Sequence, residues 1–486
     1  METASPNRFV VGLALACAAL LASACSSSEE IGSDAGSGDA GQSDAGTLDA
    51  GTNDEGSSDA GSSDAGHGDA GVSDAGVSDA GVSDAGVSDA GPDGGTASIP
   101  ARCNGSVATA FTPVSALHTV PSGLTVPAGF TIESIAVIGG ARELAALPNG
   151  DLLVATSGTS VMLIPNAEAD TLPGAPVTFT SINDAPAQGI AYAADSCSIY
   201  VATQHGLYSM AYLDAQKSAN AGTAIAQVRT GGVAPNSDGD VHISSSVAVS
   251  GNTVYIGVGS SCNQCTETDA TRAAVLTTNR DGSNLTKKAT RIRNAIALAT
   301  NPLTGAVWVG GAGQDNLPAG HPYEYFDPVT AHGGVADYGW PACEENQHAY
   351  TSGADCSNTV APRVELPAYS TLIGAVFYPL DQTGTFAFPA AHRGLFISSH
   401  GSWHKTGNAF DAPPHVVFVP MNADTPGTPV NWNDPRVQWT EFSGGWQTAD
   451  GTARIARAAG IAVGSRGSLF VSDDQGGNIF RIRPAH

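Results

Sequence analysis

LAALPNGDLLVAT, running from Leu144 to Thr156, decides the fold. An apolar run stops at the turn sequence Pro148-Asn149-Gly150, and a β-rich run follows that ends in small or polar residues. The pattern returns as IAYAADSCSIYVAT from Ile190, VAVSGNTVYIGVGSS from Val247 and IALATNPLTGAVWVGG from Ile296. Two further copies are AFPAAHRGLFISSHGSW from Ala387 and IAVGSRGSLFVSDDQGG from Ile461. Two strands around a Gly-centred turn, repeated every roughly 45–90 residues, predict the blades of a β-propeller. Six copies predict six blades in an all-β domain. GFTIESIAV, Gly129 to Val137, precedes the first copy and is expected to pair with the last blade, closing the ring and removing exposed edges. The longest gap between copies, from Trp308 to Phe388, must hold an insertion carrying HPYEYF and DYGWPACEEN. A long loop with its own aromatic residues points to function.

Outward from the repeats the composition changes sharply. Arg8 is followed by an apolar run from Phe9 to Ala24 that ends in small residues, which reads as a secretory signal peptide over residues 1–24. Leu21-Ala22-Ser23-Ala24 before Cys25 resembles a bacterial lipobox, with Ala22 where Leu is usual, so Cys25 is the expected lipidated N-terminus. Residues 25–95 repeat Val-Ser-Asp-Ala-Gly and similar pentads, with sixteen acidic residues and no Lys or Arg. Such a tract cannot bury enough apolar surface to offset ordering entropy, and its like charges extend it. It is expected to be a disordered tether. Its repeat differs from the longer calcium-binding repeat of β-helices, which has an apolar position. The chain of 486 residues carries a net charge of −26, most of it in this tract; residues 96–486 retain only about −10. That balance argues against a nucleic-acid partner. The expected location is the cell envelope, periplasmic or outer-surface, with membrane contact through the lipid alone.

Beyond Cys17 and Cys25, six cysteines remain, an even number in a chain read as exported, which implies disulfides. Cys343 and Cys356 flank a short loop and are expected to pair. Cys262 and Cys265 form a C-x-x-C that can pair locally, leaving Cys103 with Cys197. No second ligand pair stands at zinc spacing.

The strongest chemical cluster runs from Asn236 to Gly313. His242 follows the acidic turn of NSDGDVHISSS, and a histidine at a strand start on a propeller axis suits a general base. A lone histidine can equally be satisfied by a backbone carbonyl. Arg293-Asn294 directly precedes the fourth copy and would point a cation and an amide into the same axial funnel. Together with AQGIAY around Gln188, GSSCNQC, RIRNAIALATNPLTGAVW, ADYGWPAC, HGSWHK and RAAGIAVGSRGSLFVSDD, these residues carry a resemblance. The chain resembles the glucose/sorbosone dehydrogenase family, soluble quinoproteins that bind pyrroloquinoline quinone (PQQ) on a six-bladed propeller, and within it the sorbosone-dehydrogenase-like branch. The resemblance covers roughly Pro127 to Arg483.

That resemblance implies roles. His242 matches the base that takes the proton of a substrate hydroxyl, and Arg293 and Asn294 match the pair that binds the quinone. Gly313 and Gln314 lie where the family offers backbone carbonyls to calcium, an ion that favours oxygen ligands. Arg142 and Arg457 match basic positions facing the cofactor's carboxylates, Lys405 a further basic position, and Gln188 a position that is Gln in one branch and His in the other. Arg142 and Arg457 could instead pair with surface carboxylates, and Trp340 and Trp403 read as pocket-wall or core aromatics. Two departures stand out: Ala312-Gly313-Gln314-Asp315 replaces an acidic Glu-Arg-Asp stretch, and Ala458 stands where Pro is common. The implied activity is PQQ- and calcium-dependent oxidation of a sugar or related alcohol or aldehyde, with electrons passed to an acceptor in the cell envelope. The rivals are a metal-dependent propeller lactonase, which needs carboxylates converging on one axial metal, and a non-catalytic binding propeller displayed on a stalk.

Overall fold

The structure, a computed structural model, describes Cys103 and residues 105–231, 242–317 and 320–485. The leader, Cys25, the tether and the acidic turn before His242 lie outside the described residues. Short 3-10 turns are the only helical elements among the described residues, and no helix there is long and apolar enough to cross a membrane.

Six antiparallel sheets follow one another along the chain. Blade 1 is Ala141–Ala146, Leu152–Thr156, Ser160–Ile164 and Val177–Ser181. Blade 2 is Gly189–Ala193, Ser198–Ala202, Gly206–Ala211 and Thr223–Gln227. Blade 3 is Ser245–Ser250, Thr253–Val258, Ala274–Asn279 and Thr286–Thr290, and blade 4 is Asn294–Thr300, Val307–Ala312, Glu324–Asp327 and Val364–Leu366. Blade 5 is Leu372–Phe377, Leu395–Ser399, His415–Val419 and Thr440–Ser443. Blade 6 is Ala458–Val463, Leu469–Asp473 and Asn478–Pro484, completed by Phe130–Val137 from the start of the domain. That closure runs from Phe130 opposite Pro484 to Val137 opposite Asn478, as the sequence predicts. Phe130 packs edge-on against Phe388 at 4.7 Å and Phe442 at 5.2 Å, so closure also buries an aromatic side chain worth about 1.5–3 kcal/mol.

The first strands of all six blades line one cavity of about 250 Å³, which identifies them as the axial strands. They are rich in Ala and Gly because six strands converge there. At Gly460 an added Cβ would sit 2.2 Å from the Arg142 carbonyl oxygen, so only glycine lets blade 6 approach blade 1 this closely. Serines then bridge neighbouring blades: Ser472 Oγ donates to Arg142 O at 2.6 Å, Ser246 Oγ to Ala295 O at 3.1 Å, and Ser398 Oγ to Ala459 O. At the seam between blades 6 and 1 the fully buried Arg481 donates to the carbonyls of Ala167, Ala169 and Thr171 and pairs with Glu133.

The fifth copy needs a correction. Its first half, from Ala387, is not a strand but a loop with a 3-10 turn at Ala390–His392, and the axial strand of blade 5 lies upstream at Leu372–Phe377. Pro379 and Pro389 exclude regular strand there, whereas LIGAVF has the β-branched, small-residue character of the other axial strands. The insertion after blade 4's third strand sends Ala336–Asp337 to pair in parallel with Thr286–Thr290, making blade 3 five-stranded. Asp327 anchors it by accepting from His332 Nε2 at 2.6 Å, Tyr338 Oη at 2.7 Å and the Arg363 amide. The three disulfides are Cys103–Cys197, Cys262–Cys265 and Cys343–Cys356, as expected.

Candidate active site

Because the six axial strands run the same way around the ring, their starting ends gather on one face. Arg142, Gln188, Arg293-Asn294 and Arg457 all stand at or beside those starts, and His242 stands three residues before blade 3's. The sequence margins thus become neighbours.

His242 is oriented from two sides. Its Nδ1 lies 3.0 Å from both the carbonyl oxygen and Oγ of Ser260. Ser260 Oγ gives its own proton to Cys262 O at 2.6 Å, so both Ser260 oxygens accept and His242 Nδ1 carries the hydrogen. The lone pair is left on Nε2. The backbone is held by Arg229, which donates to the carbonyl oxygens of His242, Ser244 and Gln204 and to Ser245 Oγ. Desolvation, reinforced by the charge of Arg293, pushes the His242 pKa down to about 3, so the ring is neutral at ordinary pH. Gly259 sets the spacing: a Cβ there would lie 2.4 Å from His242 Cβ and 2.6 Å from Asn294 Oδ1, placing base and amide on either side of one glycine.

Arg293 is buried and donates to Gly313 O at 2.7 Å, Asp315 Oδ2 at 2.6 Å and Asn263 O at 3.3 Å. These contacts use three of its five N–H groups, leaving one on each terminal nitrogen. Asn263, inside the Cys262–Cys265 loop, also exchanges two hydrogen bonds with the Asp315 backbone and accepts from Trp340 Nε1 at 3.1 Å. The C-x-x-C disulfide therefore closes a loop that positions Arg293. Trp340 is buried wall, and neither Asn263 nor Asp315 was singled out by sequence reasoning. His404 Nε2 stands 3.1 Å from the other Asp315 oxygen.

A second charged group adjoins the blade 6 start. Arg142 Nη1 pairs with Asp474 Oδ2 at 2.5 Å, and His400 Nε2 meets the same oxygen at 2.7 Å. Arg457 and Arg454 both donate to His400 O. Burial would raise the Asp474 pKa, but the His400 hydrogen bond and the charges of Arg142 and Arg457 outweigh it and hold it at about 2. Burial, then repulsion from Arg454, brings Arg457 down to about 10. Arg457, Arg454 and Asp474 line a cavity of about 410 Å³ with Trp403, Phe410 and Gln475. The stretch from His400 to His404 thus joins the two groups, touching Asp474 at one end and Asp315 at the other.

Lys405 is not brought into this cluster. It is exposed on a small hairpin, Lys405–Thr406 with Ala409–Phe410, and its Nζ lies 4.3 Å above the Phe410 ring. Arg454, unremarked in the sequence, contacts the same ring at 4.1 Å and faces the cavity. Gln188 is buried, and its carbonyl accepts from the Glu143 amide across blades 1 and 2.

The residues fit PQQ. Three guanidinium groups converge with Asp474 as their carboxylate, so added anionic charge would relieve repulsion among them. Asn294 Oδ1, Arg142 Nε and Arg454 Nη2 are buried without hydrogen-bond partners, and such groups call for a ligand atom. Calcium meets a harder test. Gly313 O already accepts from Arg293, and Asp315 Oδ2 pairs with the same guanidinium, while Asp315 Oδ1 lies 3.1 Å from His404 Nε2 without a hydrogen bond between them. The donors are of the right kind, and Gly313 O keeps a second lone pair, so what opposes a cation there is the neighbouring charge of Arg293. Among the described residues, the only group of three metal-binding side chains within reach of one another is Cys262, Cys265 and Glu267, whose sulfurs form a disulfide. The axial carboxylate cluster that a lactonase needs is therefore not found among the described residues.

The family model described as TrAA12-like matches residues 329–485. The calcium structure of Trichoderma reesei Carbohydrate-Active Enzymes Family AA12 superposes with a TM-score of 0.61 at 18% identity, covering 76% of this chain and 99% of that one. The holo form of the pyranose dehydrogenase PQQ domain from Coprinopsis cinerea gives a TM-score of 0.63 at 17% identity, covering 77% of this chain and 100% of that one. No match is found among curated proteins. At these identities the likeness establishes the six-bladed fold.

Proposed function

We propose that this protein is a PQQ-dependent dehydrogenase that oxidises a sugar or related alcohol or aldehyde. The observation that carries the reading is the His242 tautomer: Nδ1–H is tied to Ser260, which leaves the lone pair on Nε2 of a neutral ring whose neighbours include Asn294 and Arg293. Bound PQQ supplies the two-electron acceptor for hydride from the substrate carbon. The protein's own residues do the rest. His242 Nε2 takes the hydroxyl proton, and the Ser260 contacts keep the ring from turning as it becomes cationic. Arg293 offers its two remaining N–H groups to developing negative charge, already oriented by Asn263 and Asp315, so little reorganisation is needed. Arg142, Arg454 and Arg457 would hold the cofactor's carboxylates, with Asn294 as an amide partner. Gly313 and Gln314 remain the proposed carbonyl donors for calcium. The match to a TrAA12-like model and the superposition on a PQQ domain support this assignment.

The same proposal includes export as a lipoprotein with lipid on Cys25, and reoxidation by an electron carrier of the cell envelope. A Cys25→Ala variant should lose membrane association and labelling by radioactive fatty acid. Reconstitution tests the activity: the protein titrated with PQQ and calcium should bind the quinone, read by its absorbance, and then reduce an artificial dye with an aldose. Failure to bind PQQ with calcium present would instead favour the displayed binding propeller.

A further inference from the structure

A cavity of about 660 Å³ lies between the blade 4 insertion and the loops of blade 5, joined to Arg293 through Tyr369, His404 and Asp315. Its volume falls within the ~300–1,000 Å³ range of small-molecule sites. Its lining combines Tyr323 and Tyr369 with Asp411, Asn433, Asp434 and Arg436. We propose that this cavity is a subsite for a second sugar ring, so that the preferred substrate is an oligosaccharide end rather than a free monosaccharide; this rests on the dehydrogenase reading above.

The chemistry of the lining selects the ligand. Tyrosine rings offer apolar faces to the C–H side of a pyranose while their hydroxyls stay polar. Two carboxylates, an amide and a guanidinium present paired donors and acceptors that match neighbouring hydroxyls. A purely apolar ligand would leave those groups unpaired, which is costly. An anionic ligand would meet both Asp411 and Asp434, with Arg436 as the only cation among the described lining residues.

The walls are fixed in advance of binding. Asp434 Oδ1 accepts from the Arg436 amide at 3.0 Å, starting the 3-10 turn Pro435–Gln438. Gln438 then ties that turn to blade 4, accepting from the Glu365 amide and donating to Arg363 O. Tyr369 has φ +64°, a left-handed conformation uncommon for a bulky residue, and Thr371 two positions on has φ +51°. Such backbone concentrates where a binding surface must be shaped.

The cavity also connects to the reaction. The Tyr369 ring lies 4.6 Å from that of His404, whose Nε2 is 3.1 Å from Asp315, the partner of Arg293. A substrate oxidised at His242 could thus extend over His404 and rest its next ring on Tyr369.

Calorimetric titration of the full-length protein without cofactor, using glucose, cellobiose and maltose, tests the subsite directly. At least one disaccharide should bind tenfold or more tightly than glucose. Arg436→Ala, at an exposed position, and Tyr369→Ala should each abolish that preference. In the PQQ-loaded protein the ratio of kcat/KM for that disaccharide to glucose should fall in parallel. Equal binding of glucose and both disaccharides, or variants that leave the preference intact, overturns the subsite. If the loaded protein oxidises no sugar yet still binds a disaccharide through Tyr369 and Arg436, the subsite stands and the dehydrogenase reading falls.

Discussion

The two ends of the same six axial strands could hardly differ more. At their starts stand Arg142, Gln188, Asn294 and Arg457, with His242 and Arg293 beside them; towards their ends the lining is Ala146, Tyr192, Val249, Thr300, Val376 and Val463. Backbone, pairing and curvature are shared, so the chemistry owes nothing to the scaffold's geometry alone. What separates the ends is strand polarity. Every blade begins on one face, and loops entering the axial strands there can bring charged groups together. The opposite end is reached in five blades by short turns, four of them containing Gly, and receives apolar and small side chains.

The contrast can be broken most severely at the base. His242→Gln should lower kcat/KM of the PQQ-loaded protein by about 10²–10⁴-fold, with the melting temperature showing that the fold persists. An unaltered kcat/KM would place the base elsewhere. Gly259→Ala should come next. The added methyl must displace His242 or Asn294, and a misplacement near 1 Å costs up to about 10²-fold. Steady-state kinetics beside quinone-binding titration would show whether chemistry or cofactor binding suffers.

A third test uses pH. With His242 held near 3, kcat/KM should show no acidic limb between pH 5 and 7, where an ordinary histidine would produce one. Stability should vary more. His242 and His400, both depressed to about 3 mainly by burial, bind fewer protons folded than unfolded. Their contribution is present above the unfolded value of about 6.5 and is lost as pH falls towards 3. Burial raises Glu143, Glu324 and Glu344 to about 8 and Glu365 to about 9. They contribute below their unfolded value and lose that contribution as pH rises through 8 to 9. Between about pH 4.5 and 6.5 the four glutamates outweigh the two histidines, so the melting temperature should peak near pH 4.5 and be lower by pH 9; a flat profile would contradict the assignment. The smallest effect belongs to the apolar end. Ile461→Val should cost about 0.5–1.5 kcal/mol in denaturant unfolding while leaving kcat/KM within about twofold.

The propeller was legible because its blades repeat a local signal, two β-rich runs about a Gly-centred turn, and local signals survive in sequence. Blade 5 was misread where that signal fails: Tyr378 to Gly394 replaces the tight turn, so LIGAVF and LFISS do not look like partners. Ring closure by Phe130–Val137 and the three disulfides were also readable, the first from an otherwise unpaired strand and the others from spacing and even count. The site was half legible. His242, Arg293, Asn294, Arg142 and Arg457 sit at the margins of repeats, and those margins meet. Arg229, Asn263, Asp315, Arg454 and Asp474 act through contacts between segments far apart in the chain; Asn263 and Asp474 lie inside GSSCNQC and RAAGIAVGSRGSLFVSDD and Asp315 inside the altered stretch, but nothing local shows which partners they meet.

By itself, then, the sequence determined that six strand pairs would form and that polar residues would cluster where each pair begins. Hydrophobic alternation and turn chemistry are properties of neighbouring residues. Only the tertiary structure decided which charges meet: Arg454 rather than Lys405 faces the arginine cavity, Asp315 rather than solvent takes Arg293, and Ser260 fixes which nitrogen of His242 is free. Those choices depend on where closed blades bring distant loops. Burial at those meeting points then sets the charge states, because a desolvated group keeps its charge only beside a partner.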